Sequence, residues 1–308
     1  IIRLDVKSGV ADGKTIEIQV QSLTASDTVS GTPLDIEGTT TIGAGKTVAL
    51  IGDGRPALCG ESQLTTDLNA LLDQMAAGWS LDAVVTLGDM DDITTGTYTF
   101  DGAYAASDVS SLPVFFTTGN HDITDDDIAD TRAKYAGYPD WNLSPGPTNG
   151  TTTTYSFDVG DIHVVVLNVY YNGTSDDGGD GDVVDDLFDW LKTDLRASDK
   201  PYKIVTGHEP AYPVTGHVGD SLDGHLTNRN RFWNLLKTER VISYSPGHDH
   251  TYHFTEYDGV YEFDGGVTGC QIGTGDSFAT LLYAHYDADD FVLRAVNEGA
   301  ADWGGTPT

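Results

Sequence analysis

The sequence predicts an α/β fold in which short buried strands alternate with helices. Five apolar, β-branched runs of the kind typical of buried strands occur at 47–51, 83–87, 113–117, 202–206 and 241–244. Between them, apolar residues recur at the three- and four-residue spacing of helices, at 64–75, 184–195 and 232–236. This alternation implies βαβ units, so residues that directly follow the strands should gather at the carboxyl edge of a sheet.

Each of the five runs is followed by side chains that can bind a metal ion. The segments are Gly52-Asp53-Gly54, Gly88-Asp89, Gly119-Asn120-His121-Asp122, Gly207-His208 and Gly247-His248-Asp249-His250. They offer carboxylate, amide and imidazole groups but no thiolate. This mixture suits Mn, Fe, Zn or Co better than a structural zinc or an iron–sulfur cluster. The sequence therefore predicts a metal site at the sheet edge.

The patterning divides the chain into three parts. Residues 1–45 alternate apolar and polar at 2–7 and 15–20 around Asp12-Gly13, which predicts a hairpin in a short N-terminal β-appendage. This stretch is too short to bury a core of its own. The main domain is expected over 46–300, with a hairpin at 252–256 and 260–263 and strands near 267–272, 279–286 and 291–296. Residues 301–308 are expected to form a loose tail.

The charge of the chain excludes several classes of partner. The formal net charge is -32, and 40 of the 48 acidic residues are Asp. A negative field of this size repels nucleic acids and anionic membranes. No run has the length of a transmembrane helix, so no membrane insertion is expected. An excess of Asp is typical of proteins from salty environments, where screening removes the self-repulsion; an ordinary soluble acidic protein fits equally well.

Two further features leave alternatives open. The Asp- and Gly-rich run 176–186 could form a calcium loop, but its spacing differs from the EF-hand pattern, and a solvated acidic loop is favoured. Cys59 and Cys270 could pair or stay free. Buried, unreactive thiols are favoured over a disulfide. His163 lies within a predicted strand and is expected to be a hydrogen-bonded sheet residue.

The five segments, in this order, resemble the motifs of the calcineurin-like metallophosphoesterase superfamily, which includes the purple acid phosphatases. The resemblance covers residues 46–297. The segment Val205-Thr206-Gly207-His208 looks like the purple acid phosphatase version, and its His-Glu-Pro continuation resembles bacterial secreted members. The resemblance implies a four-layer αββα sandwich that carries two metal ions about one bridging solvent.

The resemblance also implies a role for each ligand. Asp53 and His250 would bind the first metal, Asp89 would bridge both, and the second metal would be bound by Asn120, His208 and His248. A hydroxide between the metals would attack the phosphoryl group. His121 would act as general acid toward the leaving group, and Asp122 would orient its ring.

Two positions depart from the family pattern. Many members have His where this chain has Arg55, and purple acid phosphatases have Tyr where it has Asp92. Asp92 could supply the missing ligand; alternatively, the first metal is weakly held, or Arg55 binds the substrate phosphate. Without the Tyr, no purple ferric–tyrosinate colour is expected. His217 follows His208 in a loop that should overhang the pocket, where it would contact the substrate together with Asn120; the alternative is a polar loop.

The expected function is metal-dependent hydrolysis of phosphate esters. A phosphomonoesterase for small molecules is favoured, because no basic groove for a polymer is visible. A phosphodiesterase would use the same site, and a degenerate non-catalytic structural or attachment module would explain the altered first motif. The sequence does not indicate an oligomeric state. The chain begins at Ile1 rather than Met, which favours an upstream segment removed either as a signal peptide or at a cloning boundary. A secreted or periplasmic location is expected.

Overall fold

The computed structural model describes residues 45–137, 141, 143–147, 153–269, 280–287 and 290–297. Its strands are Lys46–Ile51 (β1), Leu81–Thr86 (β2), Val114–Phe115 (β3), Ser144–Pro145 (β4), Tyr155–Val159 (β5), Ile162–Val166 (β6), Tyr202–Thr206 (β7), Ser243–Ser245 (β8), Tyr252–Tyr257 (β9), Val260–Gly265 (β10), Thr280–Asp287 (β11) and Asp290–Asn297 (β12). The predicted N-terminal hairpin and C-terminal tail lie outside the described residues.

The strands form two mixed sheets. The first sheet has the order β12-β11-β1-β2-β3, and the second has the order β4-β5-β6-β7-β8-β10-β9. In the first sheet, β1, β2 and β3 are parallel. In the second, β6, β7, β8 and β10 are parallel, while β9 and β10 form the predicted antiparallel hairpin. The parallel strands therefore occupy the central part of the second sheet and one end of the first.

The helices cover the outer faces of the sheets. They are Pro56–Cys59 (α1), Glu61–Asp73 (α2), Phe100–Ala105 (α3), Asp125–Ala136 (α4), Asp185–Ala197 (α5) and Leu226–Thr238 (α6), with a 3₁₀ turn at Leu222–His225. Helix α5 shows why these segments are helical: Leu187, Leu191 and Leu195 form one buried stripe, and two Asp residues favour its amino end. Among the described helices, none is long and apolar enough to cross a membrane.

Three hydrophobic cores separate four layers. Alternation along β1 sends Val48 and Leu50 toward the second sheet, where they share a core with Ile204 of β7. The opposite face of β1 packs Ile51 against Leu64 of α2. A third core joins the outer face of the second sheet to α5 and α6. The order helix, sheet, sheet, helix confirms the expected four-layer αββα sandwich.

Two predicted strands are shorter than expected. The run 113–117 pairs only at Val114–Phe115, because the backbone N–H of Thr117 donates to Oγ1 of Thr86 instead of continuing the ladder. The strand expected near 267–272 is a single bridge at Val267 in the described residues, since 270–279 lie outside them. That bridge pairs Val267 with Asp53 and so joins the end of β1 to the segment that follows β10.

The expected gathering at one sheet edge also needs correction. Of the strands that precede the five segments, β1, β2 and β3 belong to the first sheet, whereas β7 and β8 belong to the second. The carboxyl ends of both groups meet at the same side of the sandwich. The site therefore spans two sheets, and side chains on separate layers must be brought together to build it.

Candidate metal centre

Three buried ligand atoms converge at this edge. One atom each from Asp53, Asp89 and His208 lies within 4.8 Å of the others. The three residues follow β1, β2 and β7, so the group exists only because both sheets end here. Exposed fractions of 0%, 1% and 0% show that water does not solvate these side chains. Burying charged side chains in this way costs free energy of desolvation, unless a cation or a hydrogen bond compensates for the lost solvation.

The other three predicted ligands join this group. Nε2 of His208 lies 3.0 Å from Oδ1 of Asn120 and 3.3 Å from Oδ1 of Asp89. Nδ1 of His248 lies 3.1 Å from the same oxygen of Asn120. On the other side, Nε2 of His250 lies 3.0 Å from Oδ2 of Asp53. The grouping matches the division into two ligand sets that the sequence motifs imply.

The residues present fit a metal ion. Oδ2 of Asp53 is buried and has no hydrogen-bond partner. A bound cation would satisfy atoms of this kind, and the oxygen and nitrogen donors are those that transition metals accept. Nδ1 of His208 lies 2.8 Å from the carbonyl oxygen of Leu87, to which it can donate, and this leaves Nε2 available as a ligand.

The electrostatics of the group are strongly coupled. Burial alone would lower the pKa of His208, but the neighbouring carboxylate of Asp89 raises it to about 10. Burial would raise the pKa of Asp89, but His208 and the backbone N–H of His121 bring it well below its usual range. Burial, with His208 nearby, lowers the pKa of His248 to about 2. A metal that binds Nε2 of His208 must displace a proton, so metal affinity should weaken in acid.

The backbone is strained at the same segments. The described residues include seven non-glycine residues with positive φ, and five of them are Arg55, Asp89, Asp91, His248 and His250. Each such conformation costs about 1–3 kcal/mol and persists only where the surroundings fix it. Strain of this kind is concentrated at functional sites, so its position agrees with that of the ligands.

Two glycines of the motifs are required because another ligand side chain lies against their backbone. A Cβ atom at Gly88, where φ is 101°, would collide with the ring of His208. A Cβ atom at Gly119 would collide with Asp89. Each glycine therefore makes room for a ligand that comes from a different segment, which is why both precede ligand residues in the sequence.

Comparison with known proteins agrees with this geometry. A model of the calcineurin-like phosphoesterase family matches residues 47–252, which is more than half of the chain. The chain belongs to the calcineurin-like phosphoesterase family. Purple acid phosphatase 22 of Arabidopsis thaliana is 30% identical over 149 residues, which cover 46% of this chain and 31% of that protein. Purple acid phosphatase 15 of the same plant is 25% identical over 195 residues, covering 60% and 34%.

The chain spans about a third of the length of those curated relatives. Among solved structures, it is similar to GAP50, the anchor in the inner membrane complex of Plasmodium, with a TM-score of 0.57 and 14% sequence identity. The match covers 85% of this chain and 87% of the other. At that identity the similarity shows a shared fold.

His121 lies beside the ligand group, and the partners of Asp122 are backbone groups. The backbone N–H of His121 donates to Oδ1 of Asp89 at 2.9 Å, and its Nε2 lies 4.0 Å from Oδ2 of the same residue. Oδ2 of Asp122 instead accepts the backbone N–H groups of Asp89 and Gly119, and its Oδ1 has no partner. The structure therefore gives Asp122 backbone partners rather than the ring of His121, and its orienting role stays a prediction. Nη2 of Arg55 lies 3.2 Å from Nδ1 of that ring.

The structure does not bring Asp92 to the metal ligands. Its carboxylate fills the space beside Gly96, and its carbonyl oxygen accepts the N–H of Phe100. The neighbouring Asp91 points toward the site and pairs with Nε of Arg55 at 3.1 Å. Burial raises the pKa of Asp91, while Arg55 opposes that shift. Sequence reasoning missed Asp91, for which the only signal was its place two residues after Asp89.

His217 lies over the ligand group, as expected for a loop that overhangs the site. Its ring centroid is 3.8 Å from that of His248 and 6.3 Å from that of His250. Asp249 fixes the loop, because its Oδ2 accepts the backbone N–H groups of Val214 and Thr215. Contact of His217 with a substrate stays a prediction.

The carboxylates of the acidic run 176–186 do not gather at one point. Its carboxylates diverge to separate partners: Asp176 to Arg132, Asp180 to His225, and Asp185 to Arg231. In the described part of the chain, Asp53, Asp89 and His208 form the one group of three convergent acidic or imidazole ligands. The calcium alternative therefore has no convergent ligand set among the described residues, and ion pairs hold this run in place.

The state of Cys59 also corrects the sequence interpretation. Cys59 is disulfide-bonded rather than a free, buried thiol; the expectation for Cys270 falls outside the described residues. The backbone N–H of Cys59 donates to the carbonyl oxygen of Arg55 at 2.9 Å. The disulfide therefore anchors the short segment that follows the first ligand, Asp53.

Proposed function

We propose that this phosphoesterase hydrolyses phosphate monoesters of small molecules with two transition-metal ions. The observation that carries the proposal is the convergence of Asp53, Asp89 and His208, whose buried atoms also contact Asn120, His248 and His250. One carboxylate oxygen of Asp53 is buried without a hydrogen-bond partner. Similarity to purple acid phosphatases supports the choice of phosphatase chemistry.

The residues divide into two ligand sets that share Asp89. Asn120, His208 and His248 would hold one ion, and Asp53 and His250 would hold the other. When bound, the metals would supply an activated water and neutralise charge on the phosphoryl oxygens. Asn120 adds an oxygen donor without adding negative charge. His121, whose Nε2 lies at the edge of this group, serves as general acid to the leaving-group oxygen.

The charge distribution supports a small substrate. With a net charge of -32, the chain as a whole repels anions. Local positive charge at the site would come from the metals and from Arg55, whose side chain is within reach of His121. A compact phosphate monoester needs only this local attraction. The disulfide at Cys59 supports a secreted or periplasmic location, since disulfides persist in oxidising compartments.

The test is hydrolysis by chelated protein after Mn, Zn, Fe, Co or Ca is restored singly. We expect transition metals to restore hydrolysis of p-nitrophenyl phosphate, with lower activity on bis(p-nitrophenyl) phosphate. His121→Ala should lower turnover by about 10²–10⁴-fold and leave the metal content unchanged. Preference for the diester would indicate a phosphodiesterase. Tight metal binding without turnover of either ester would favour a non-catalytic attachment module.

A further inference from the structure

The side chain of Arg55 is an ordered cation at the metal centre. Its Nε lies 3.1 Å from Oδ2 of Asp91, and its Nη2 lies 3.2 Å from Nδ1 of His121. Its backbone is fixed as well, because the N–H of Arg55 donates to the carbonyl oxygen of Asp89 at 3.1 Å. The side chains of Arg55 and Asp91 are 16% and 13% exposed, so the ion pair is largely shielded from water while the guanidinium keeps some access to it.

These contacts leave most donors of the guanidinium available to an anion. A guanidinium offers five N–H groups in a planar fork and has no acceptor. Among the described residues, its partners are Asp91, through Nε, and His121, beside Nη2. At most two of the five N–H groups take part, so both hydrogens of Nη1 remain for another acceptor. Nη1 and Nη2 together form the end of the fork that can bind two oxygens of one phosphate.

Phosphate monoesters and diesters differ in what they offer to such a cation. A monoester has three terminal oxygens and carries a charge of about −2 above its second pKa of about 6. A diester has one terminal oxygen and one negative charge fewer, because an uncharged ester oxygen takes the third position. During phosphoryl transfer from a monoester, charge is spread over all three equatorial oxygens. A guanidinium beside the third oxygen therefore stabilises a monoester and gains little from a diester.

We propose that Arg55 makes the site select phosphate monoesters over diesters by binding the third terminal oxygen. The inference rests on the proposed function, because it takes the ester to bind between the metal ligands and His121. The sequence left open whether Arg55 binds phosphate at all. Its contacts supply the reason for selectivity, since Asp91 occupies Nε and leaves the fork beside the ring assigned as general acid.

The first test measures binding rather than turnover. Inorganic phosphate and dimethyl phosphate are titrated by calorimetry into the full chain, restored with Zn and freed of excess metal, at about pH 8, where phosphate is mainly a dianion. We expect Arg55→Met to weaken phosphate binding by about 10- to 100-fold and to leave dimethyl phosphate binding nearly unchanged. Arg55→Lys should recover part of the loss, since an ammonium keeps the charge and lacks the fork.

Lys134→Met is the matched control for the loss of a cation. Lys134 is also ion-paired, with Asp101, but it lies outside the metal ligand segments. Its replacement should change the binding of neither anion. Methionine suits both comparisons because it keeps much of the apolar stem and lacks a donor. Elemental analysis shows that each variant holds the same amount of metal, and thermal unfolding shows that each is folded.

Two results of the titrations would overturn the proposal. One is phosphate binding that is as tight in folded Arg55→Met as in the unmodified chain. The other is equal weakening of phosphate and dimethyl phosphate, which would assign Arg55 to a property that both anions share and not to the third oxygen. Because no ester is hydrolysed, either result is distinct from failure of the proposed phosphatase activity.

The second test compares hydrolysis of p-nitrophenyl phosphate and bis(p-nitrophenyl) phosphate. In Arg55→Met, kcat/KM for the monoester should fall by about 10- to 100-fold while that for the diester stays nearly constant, so their ratio shifts by the same factor. This shift decides the inference whichever ester the unmodified chain prefers. Equal losses on the two esters would refute selection by Arg55. If the unmodified chain hydrolyses neither ester, the proposed function fails, and the phosphate titration still decides the role of Arg55.

Discussion

Nε2 of His250 lies 3.0 Å from Oδ2 of Asp53, a buried carboxylate oxygen that accepts no hydrogen bond. Asp53 follows β1 in the first sheet, and His250 belongs to the segment after β8 in the second. Proximity without a hydrogen bond is the arrangement expected of two groups that share a cation. The pair is therefore assigned to the second proposed ligand set, separate from the group around Asn120.

Replacement of His250 should remove one ion and leave the other. We expect His250→Ala to bind about one metal per chain where the unmodified chain binds two, measured by elemental analysis after gel filtration. Metal at 100 times its dissociation constant should stabilise the unmodified chain by about 2.7 kcal/mol for each independent site, and the variant should gain less.

His253→Ala is the matched control for this change. His253 is three residues away on β9, where its Nε2 lies 2.7 Å from Oγ1 of Thr255. It should keep the full metal content. Equal metal content in the two variants, whether both are reduced or both are complete, would contradict the assignment of His250 as a ligand.

Asp122 should be required for the shape of the site rather than for its charge. Burial and the neighbouring Asp89 raise the pKa of Asp122 well above its usual range, so a neutral side chain is tolerated here. Asp122→Asn keeps an oxygen that can accept the N–H groups of Asp89 and Gly119. Asp122→Ala leaves both N–H groups buried and unpaired, which should cost about 1–3 kcal/mol for each group.

Urea unfolding of the two variants checks this expectation. The asparagine variant should retain most of the stability and metal content of the unmodified chain, and the alanine variant should lose both. Asp89 has a φ of 54°, so the loss of its backbone hydrogen bond should also release the strained ligand segment. Similar loss of stability in both variants would show that the charge of Asp122 matters more than its hydrogen bonds.

Much of the ligand set could be predicted because it depends on local order in the sequence. Each ligand segment follows a strand, and strands are visible from their apolar runs. Asn120, His208 and His248 were therefore expected together, and the structure brings them together. The four layers followed from the resemblance, and the alternation along β1 confirms them through its two different cores.

The contacts of Arg55, Asp91 and Asp122 could not be predicted in this way. Whether Asp91 or Asp92 faces the site depends on the backbone conformation. At Asp91 the φ of 48° turns the chain, so that the two side chains point in different directions. The contact between Arg55 and His121 joins the ends of β1 and β3 across the first sheet. The sequence also could not show whether the carboxylates of the run 176–186 converge on a cation, because their positions depend on tertiary partners. Arg132 binds Asp176 and Arg231 binds Asp185, in separate ion pairs.

Reduction of the disulfide at Cys59 should destabilise the chain and loosen the segment that carries Arg55. Loss of a native disulfide costs about 2–4 kcal/mol, chiefly because the unfolded chain gains freedom. We expect dithiothreitol and Cys59→Ala each to lower the midpoint of thermal unfolding, and dithiothreitol to have no further effect on the variant. Two reactive thiols in unreduced, denatured protein would show that the bond does not form.

The pH dependence of stability should carry a contribution from His163, far from the metal ligands. Nδ1 of His163 lies 2.7 Å from Oδ1 of Asp158, and Nε2 lies 2.9 Å from Oδ2 of Asp194 on α5. Burial lowers the pKa of His163, but the hydrogen bonds to the two carboxylates outweigh it and raise the pKa above the ordinary 6.5. The ring therefore stabilises the folded chain most when it is charged.

A raised pKa in the folded state gives stability that is fully present below pH 6.5 and is lost as pH rises through the folded pKa. The pKa of Asp158 is lowered in the folded chain. Its contribution to stability is therefore lost at the acid end, as pH falls below the ordinary aspartate pKa of 3.8. At pH 6, His163→Gln should lower the free energy of unfolding by about 1–2 kcal/mol. The loss is kept to this size because Asp158 is half-exposed and solvent screens its charge. The cost should shrink as pH rises toward 9.

Urea unfolding of chelated protein from pH 5.5 to 9 measures this difference without interference from the metal. His285→Gln is the matched control, because burial lowers the pKa of His285 and the sign is reversed. Nδ1 of His285 lies 2.8 Å from Oγ1 of Thr47, and its ring stacks on Trp79. Its contribution should decline as pH falls through 6.5, opposite to that of His163. If the cost of His163→Gln were constant across this range, the ring would be neutral and the charged bridge to α5 would be refuted.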